Sequence, residues 1–548
     1  MTKVAVTINF RKTTLVFLIK TKTFSIREDF LFQLVQHSKI FCIFIEVIYS
    51  TSTMLKTYLP LALTFIFFLP LTAQDLSGSL FSKETNESIP YASVEIGKNY
   101  GVITNNEGEF QINVDRFTEK DSLRFSSLGY QSTRIALKDF VQDTIIYLKE
   151  DVSELEDVYL INKKLSPQEI MAKVNENLAK NYNYSLRQYD LFIRNESDNE
   201  ILDAEFEINK ATFLEKKVTK KFNTELEELL KTTKNVTSKS YSEKFIRVSL
   251  GEKIDSLKVD IQKATVLKDT TQSSDVESFS SEVMKKIGQN LNSENTFKVK
   301  SGILPIDDSL KVGKKFKVQT KKSDSIYTKN LKESYVDYFK YNDKLNLGKF
   351  DFVREYEDYA YTIEDITGFN GEMVYILSFE PDRGRADYLG KLYVSAESFA
   401  IIKAEYHLEE GEKASGINMK FLLGIKAEQT KDTGLIIFKK NENNTYDPVY
   451  AKSETNQYIY FNRSFKFKEN TEDRSKRIKF KFDMLVENQS NMNTEILFVN
   501  SSPVTSEQFN SIEENKGKKL DYIRKYDASV WEGYNIISPD RELEEFEL

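Results

Sequence analysis

Short runs in which apolar and polar side chains alternate constrain this chain more than any other feature. Glu109-Phe-Gln-Ile-Asn-Val114 puts Phe110, Ile112 and Val114 on one face, and Tyr91-Ala-Ser-Val-Glu-Ile96 sets Ala92, Val94 and Ile96 against Tyr91, Ser93 and Glu95. A period of two fits a strand with one buried and one wet face. The pattern returns between 348 and 500, in Met373–Phe379, Gly390–Val394, Phe399–Leu408, Lys420–Ile425, Gly434–Phe438, Tyr458–Phe467, Ile478–Leu485 and Glu495–Phe498. Strands this close in sequence favour antiparallel pairing. The 39 Phe and 29 Tyr, against 20 Gly and 9 Pro, are the residues that sheets use. The expected class is mainly β: an N-terminal sandwich of about seven strands, then a helix and a larger antiparallel sheet domain with some helical insertions.

The start of the chain reads as leader. Met54-Leu-Lys56 precedes an apolar run, Leu59–Leu69, bounded by Pro60 and Pro70, and Leu71-Thr-Ala73 ends on a small residue. A positive start, a short apolar middle and a small residue at the cut define a secretory signal, here 54–73 with cleavage after Ala73. A transmembrane anchor is the competing reading, but it needs about 20 apolar residues and this run is shorter. Residues 1–53 carry a second apolar stretch, Ile40–Ile48, and are expected to be an upstream extension from a misassigned start, with translation beginning at Met54. Without 1–73 there remain 69 basic and 81 acidic residues, a net charge of −12, no Cys and one His, His407. That excludes a disulfide framework, a disulfide-linked partner and a Cys-type zinc site. A net acidic, exported chain is also not expected to bind nucleic acid.

Residues 75–150 carry three motifs in order: Ser88-Ile-Pro-Tyr-Ala-Ser-Val94, Thr104-Asn-Asn-Glu-Gly-Glu-Phe110 and Ser127-Leu-Gly-Tyr130. This module resembles the carboxypeptidase regulatory-like domain. The resemblance implies a transthyretin-like β-sandwich, a non-catalytic folding or docking role, and an address in the Gram-negative envelope, where the module precedes larger domains including TonB-dependent receptors. It singles out Pro90, Tyr91, Ala92, Gly108, Phe110, Gly129 and Tyr130 as structural motif residues. Zinc peptidase chemistry needs two His and a carboxylate on the metal, which a single His cannot supply.

Val152–Ile161 reads as a strand within a linker over 151–165. Ser166-Pro-Gln-Glu169 is a capping box with Pro in the first turn, and Ile170, Val174 and Leu178 make one helical stripe. With the Asn181-Tyr182 exit and the aromatic strand Tyr189–Arg194, this stretch resembles uncharacterised envelope proteins that join the same sandwich to a larger β domain. The region 166–345 mixes that helix with charged α and β segments. A helix is expected over Thr224–Lys231, and an amphipathic stripe runs from Val276 to Leu291. The Lys311–Lys322 run reads as a solvated strand face or an anionic-surface contact. The antiparallel domain is bounded at 346–505, and 506–548 is a helical or irregular tail whose acidic end, Arg541–Leu548, is expected to fray. Within 375–402 the strand rhythm resembles lipoprotein-carrier half-barrels.

No phosphate loop, nucleophile elbow or H-E-x-x-H motif occurs. His407 lies on a strand beside Lys403 and Glu405, as a solvent-facing or satisfied His does. Glu355, Glu357, Asp358, Glu364 and Asp365 cluster in sequence, and either a carboxylate pair or a calcium site needs such groups. So many acids make such clusters common. The sequence therefore points to an exported, periplasmic or outer-membrane-associated protein, not an enzyme and without a cofactor. Its partners would be envelope or outer-membrane proteins, with lipid possible. The alternatives are a lipid or lipoprotein carrier and a carboxylate-dependent hydrolase.

Overall fold

The computed structural model describes residues 3–10, 13–20, 75–151, 165–253, 256–268, 295–311, 325–336, 350–369, 372–384 and 386–547. The chain divides into two units, 1–72 and 73–548. In the first, Lys3–Phe10 and Thr13–Lys20 pair as an antiparallel hairpin. The signal peptide expected at 54–73, the linker strand at 152–161, the stripe at 276–291 and nearly all of the basic run lie outside the described residues.

The chain is mainly β, with an N-terminal pair of sheets and a larger antiparallel one. In the first sandwich sheet, Asp75–Ser82 lies between Glu109–Asn113, antiparallel, and Thr144–Leu148, parallel. The facing strands run Tyr100–Ile103, Ser93–Ile96, Ser122–Ser126 and Thr133–Ala136, all antiparallel. The alternation seen in sequence packs their core: Val94, Ile96, Phe110, Ile112, Leu123 and Phe125 are buried.

The capping box forms at Ser166. Its Oγ accepts the Glu169 amide at 3.2 Å, and the Glu169 carboxylate accepts the Ser166 amide at 2.8 Å. The helix Pro167–Asn181 follows and buries Ile170, Met171 and Val174.

Three long strands form the spine of the large sheet: Arg187–Ala211, Tyr446–Glu469 and, between them, Lys479–Pro503. Beyond Arg187–Ala211 come Thr237–Leu250 and Leu257–Lys268. Beyond Tyr446–Glu469 come Asp432–Lys440, Ile401–Leu408, Tyr388–Ser395, Glu372–Pro381 and Tyr359–Phe369. The sheet thus reaches outside 346–505 and draws strands from 187–268. Their high charge makes them read as a mixed segment, although Leu202, Ala204, Phe206 and Ile208 do alternate with Asp203, Glu205 and Glu207. Two glycines seat Tyr406: a Cβ on Gly434 would lie 2.2 Å from its ring, and one on Gly390 would lie 2.0 Å from the Glu405 carbonyl oxygen.

Helix Lys216–Thr233 is longer than the expected Thr224–Lys231. Residues 541–546, expected to fray, are capped and packed. Asp540 caps the short helix Arg541–Glu545, Leu543 is buried, and Phe546 meets Tyr241 edge-on at 5.2 Å. Two apolar side chains spaced by three residues outweigh the acidic composition that suggested fraying.

Candidate functional site

The near half of the spine is apolar on both faces. Tyr189, Leu191, Ile193, Ile496 and Phe498 pack with helix Pro167–Asn181 and with Phe350–Val353. Phe192, Tyr450, Leu497 and Val499 pack on the opposite face, in one core with the sandwich and Trp531. A segment of the C-terminal tail clasps this junction. Trp531 is 2% exposed, meets Phe192 edge-on at 5.3 Å, and its Nε1 donates to Glu243 at 2.6 Å. The buried Arg194 guanidinium donates to Glu243 at 2.8 Å and to the Ile537 carbonyl at 2.9 Å. On the sandwich side, Asn535 accepts the Asn113 amide at 2.7 Å and Asn105 donates to the Pro539 carbonyl at 2.9 Å.

The seven motif residues fall into two sets. Ala92, Gly108 and Phe110 serve the sandwich itself. Ala92 and Phe110 are buried, and Gly108 has φ +79° with its would-be Cβ 2.7 Å from the Leu80 carbonyl oxygen. Pro90, Tyr91, Gly129 and Tyr130 instead border a hollow of about 540 Å³ between sandwich and sheet. Tyr91 also reaches a second hollow, of about 710 Å³, on the outer face of the sheet. A left-handed backbone, φ 57°, turns its ring outward to stack on Tyr450 at 5.4 Å. Thr104 fixes that turn: its hydroxyl donates to the Ile89 carbonyl at 2.8 Å and accepts the Ala92 amide at 2.9 Å.

The larger hollow is charged, and three of its glutamates are paired with lysines. Glu364 meets Lys391 at 2.6 Å, Glu405 meets Lys403 at 2.6 Å, and Glu454 meets Lys431 at 2.9 Å and Lys452 at 3.1 Å. Burial pushes the Glu454 carboxyl up, but the bonds from Lys431 and Lys452 outweigh it and hold the group below its ordinary value. Burial pushes the Tyr91 hydroxyl up against the opposing pull of Lys452. A general acid needs a carboxyl raised towards neutrality, so a carboxylate held down by lysines suits binding rather than proton transfer.

His407 is exposed and lines the same hollow, on the strand that carries Glu405. The acidic cluster does not converge. Asp358 is buried and bridged to Arg383 at 3.3 Å, Glu355 pairs with Arg354, and Glu364 and Asp365 border different hollows. Among the described residues no group of three or more His, Cys, Asp or Glu is placed to hold a metal ion. The apolar face of the sheet at 359–408 is filled by helix Pro167–Asn181 and Phe350–Val353. An acyl-binding interior would leave that face open.

Sequence reasoning did not find the lysine–glutamate rows, which look like ordinary wet strand faces. Arg194 and Glu243 did leave a signal: each is a charge set beside an apolar strand run, where burial demands a partner.

Residues 76–160 match the CarboxypepD_reg-like domain family, and that domain is a non-catalytic β-sandwich module. No curated protein is significantly similar to the chain. Two solved structures overlay loosely. The crystal structure of MucB is 6% identical with a TM-score of 0.14, covering 63% of this chain and 94% of its own. A putative membrane-associated protein of unknown function from Bacteroides fragilis is 9% identical with a TM-score of 0.11, covering 77% and 98%.

Proposed function

We propose that this chain is an exported envelope protein that works by binding, and that the junction of sandwich and sheet receives an extended segment of an envelope or outer-membrane protein. One observation carries the reading. Strand Tyr359–Phe369 pairs with Glu372–Pro381, and among the described residues nothing pairs with its other edge. Asp365, Ile366, Thr367 and Phe369 of that strand border the hollow opposite Gly129 and Tyr130. Ile366 is 42% exposed. An open edge offers unmet backbone donors and acceptors, and a partner strand adds to it by main-chain bonds, with side-chain hollows giving selectivity. The paired charges at Lys391, Glu364 and Lys452 supply polar contacts beside that edge. Export rests on the leader at 54–73.

The test is a photo-crosslinking residue at Ile366 in cells. A discrete adduct with an envelope protein is expected, and Gly368→Pro, which removes a donor from the free edge while leaving the ladder bonds of Thr367 and Phe369 in place, should abolish it. The absence of any adduct at Ile366, with the same residue at Ser127 also silent, overturns the reading. Mass spectrometry of the cellular protein should find an N-terminus at Gln74, and peptides from 1–53 would remove the export argument.

A further inference from the structure

Two hairpins share the outer edge of the far half of strand Tyr446–Glu469 and meet there end to end. In one, Ser415–Met419 pairs with Ile425–Gln429, and Ile425 lies opposite Phe461. In the other, Phe297–Ser301 pairs with Leu304–Leu310, and Ser301 lies opposite Phe465. Their turns, 420–424 and 302–303, therefore converge on Asn462–Ser464. Arg463 ties them together. Its guanidinium donates to the Leu423 carbonyl at 2.6 Å, to the Ser301 carbonyl at 2.6 Å and to the Ser301 hydroxyl at 2.7 Å. The Asn462 amide donates to the Gly424 carbonyl at 2.7 Å, and the Gly302 amide donates to the Ser464 carbonyl at 2.7 Å. Gly424 has φ +64°, and a Cβ there would lie 2.2 Å from the Asn462 carbonyl oxygen. Both turns are thus built and held.

What they display is apolar. Phe421 is 104% exposed, Ile303 86%, Leu422 75% and Leu304 41%. Single exposed apolar side chains need no explanation, but four on two turns tied to one arginine form a patch with a use. The turns and the strand segment between them carry charge of one sign, with Asp483 opposite Ser464 and Asp307 further along the second hairpin as the nearest acids on the paired strands. The segments 300–304, 418–426 and 462–466 contain Lys300, Lys420, Lys426, Arg463 and Lys466 and no Asp or Glu, in a chain of net charge −7. Lys420 sits 3.8 Å over the Tyr460 ring. Lys426 is shared with Glu428 at 2.6 Å, just outside these segments.

We propose that this junction is a membrane-contact tip. Phe421, Leu422, Ile303 and Leu304 enter the interfacial region of an anionic bilayer while the flanking lysines meet headgroup phosphates. Aromatic and aliphatic side chains ringed by cations match such an interface, with lysine stems lying along the apolar layer. A protein partner for so apolar a patch would more often be met by a mixed-charge rim. The tip does not depend on the open edge at Tyr359–Phe369, so either reading stands or falls alone.

The test is co-sedimentation of the full chain with vesicles of phosphatidylglycerol and phosphatidylethanolamine, against phosphatidylcholine alone. Binding to the anionic vesicles is expected, weakening by about tenfold or more in a triple variant, Ile303→Ser with Phe421→Ser and Leu422→Ser. These side chains are exposed, so circular dichroism should be unchanged. In a separate Phe421→Trp variant the fluorescence should shift to the blue on adding anionic vesicles and be quenched by brominated lipid. Equal sedimentation of native and triple-variant chains, or no spectral shift at position 421, overturns the proposal. So does self-association in solution that the triple variant abolishes while neither form binds vesicles, which would assign the patch to a second copy of the chain.

Discussion

The three long strands of the spine behave differently along their length. In the near half, Leu191-Phe-Ile193 and Ile496-Leu-Phe-Val499 are continuous apolar runs, buried on both faces. In the far half, roughly 200–211, 456–469 and 479–489, only Ile208, Glu469 and Phe480 are buried, and the rest are partly or fully exposed. There the aromatics take one face, with Phe465 stacked on Phe482 at 5.1 Å and Phe482 on Phe206 at 4.9 Å. The same strands are therefore a two-sided core at one end and a one-sided layer at the other. The lesson is that a continuous apolar run marks where a second layer docks, and the return of alternation marks where it stops. Here the sandwich and the C-terminal clasp dock on the run, and the hairpins that carry the proposed tip belong to the alternating part.

The strongest way to break this contrast is at the buried pair that holds the clasp. Arg194→Ala leaves Glu243 inside the core with Trp531 Nε1 but without its cation, which costs about 3–5 kcal/mol. The midpoint of urea unfolding should fall accordingly. Limited trypsin digestion at the exposed Arg524 and Lys525 should also be faster in the variant than in the native chain. A loss below about 1 kcal/mol would mean that the clasp is held by apolar packing alone.

A matched pair of truncations sharpens the contrast directly. Phe192→Ala in the near half removes a fully buried ring packed on Trp531 and should cost about 3–5 kcal/mol. Phe465→Ala in the far half removes a ring that is already partly in water and should cost about 1–2 kcal/mol. Equal losses, measured by the same urea titration, would show that the far half is as well covered as the near half.

How much of this was legible in the sequence follows from the same physics. Short strands at 91–114 and 373–408 were legible because one face is wet, so side chains two apart share a fate. The helix at 167–181 was legible from Ser166, Pro167 and Glu169, since orphan amides at a helix start demand such residues. The strand after Arg194 carried the same alternation, Ala204, Phe206 and Ile208 against Asp203, Glu205 and Glu207, but its high charge made it read as a mixed segment. The junction was not legible at all. Nothing local connects Tyr91 to Tyr450 or Asn113 to Asn535, residues hundreds of positions apart whose contact depends on how the layers stack. Tyr91 was singled out by resemblance, but its outward turn rests on a left-handed backbone that sequence favours only for Gly, Asn or Asp.

The smallest effect separates charge from packing at that junction. Glu454 is held below its ordinary value by Lys431 and Lys452 against the upward push of burial. A carboxyl lowered on folding adds stability that is present above its unfolded value and disappears as pH falls through the folded one. Lys452→Met removes one of the two cations and also the ammonium 5.9 Å above the Tyr91 ring. Because Glu454 is partly exposed, the ionic part should be worth under about 1 kcal/mol at neutral pH. The stability gap between native and variant should therefore be widest near about pH 7 and narrow steadily below about pH 4, where Glu454 takes up its proton in both. A gap that stays constant from neutral to acid pH would assign Lys452 to packing against Tyr91. A gap that closes would assign the contribution of Lys452 to its ion pair with Glu454 on the same strand, leaving the contact of Tyr91 with the sheet to packing.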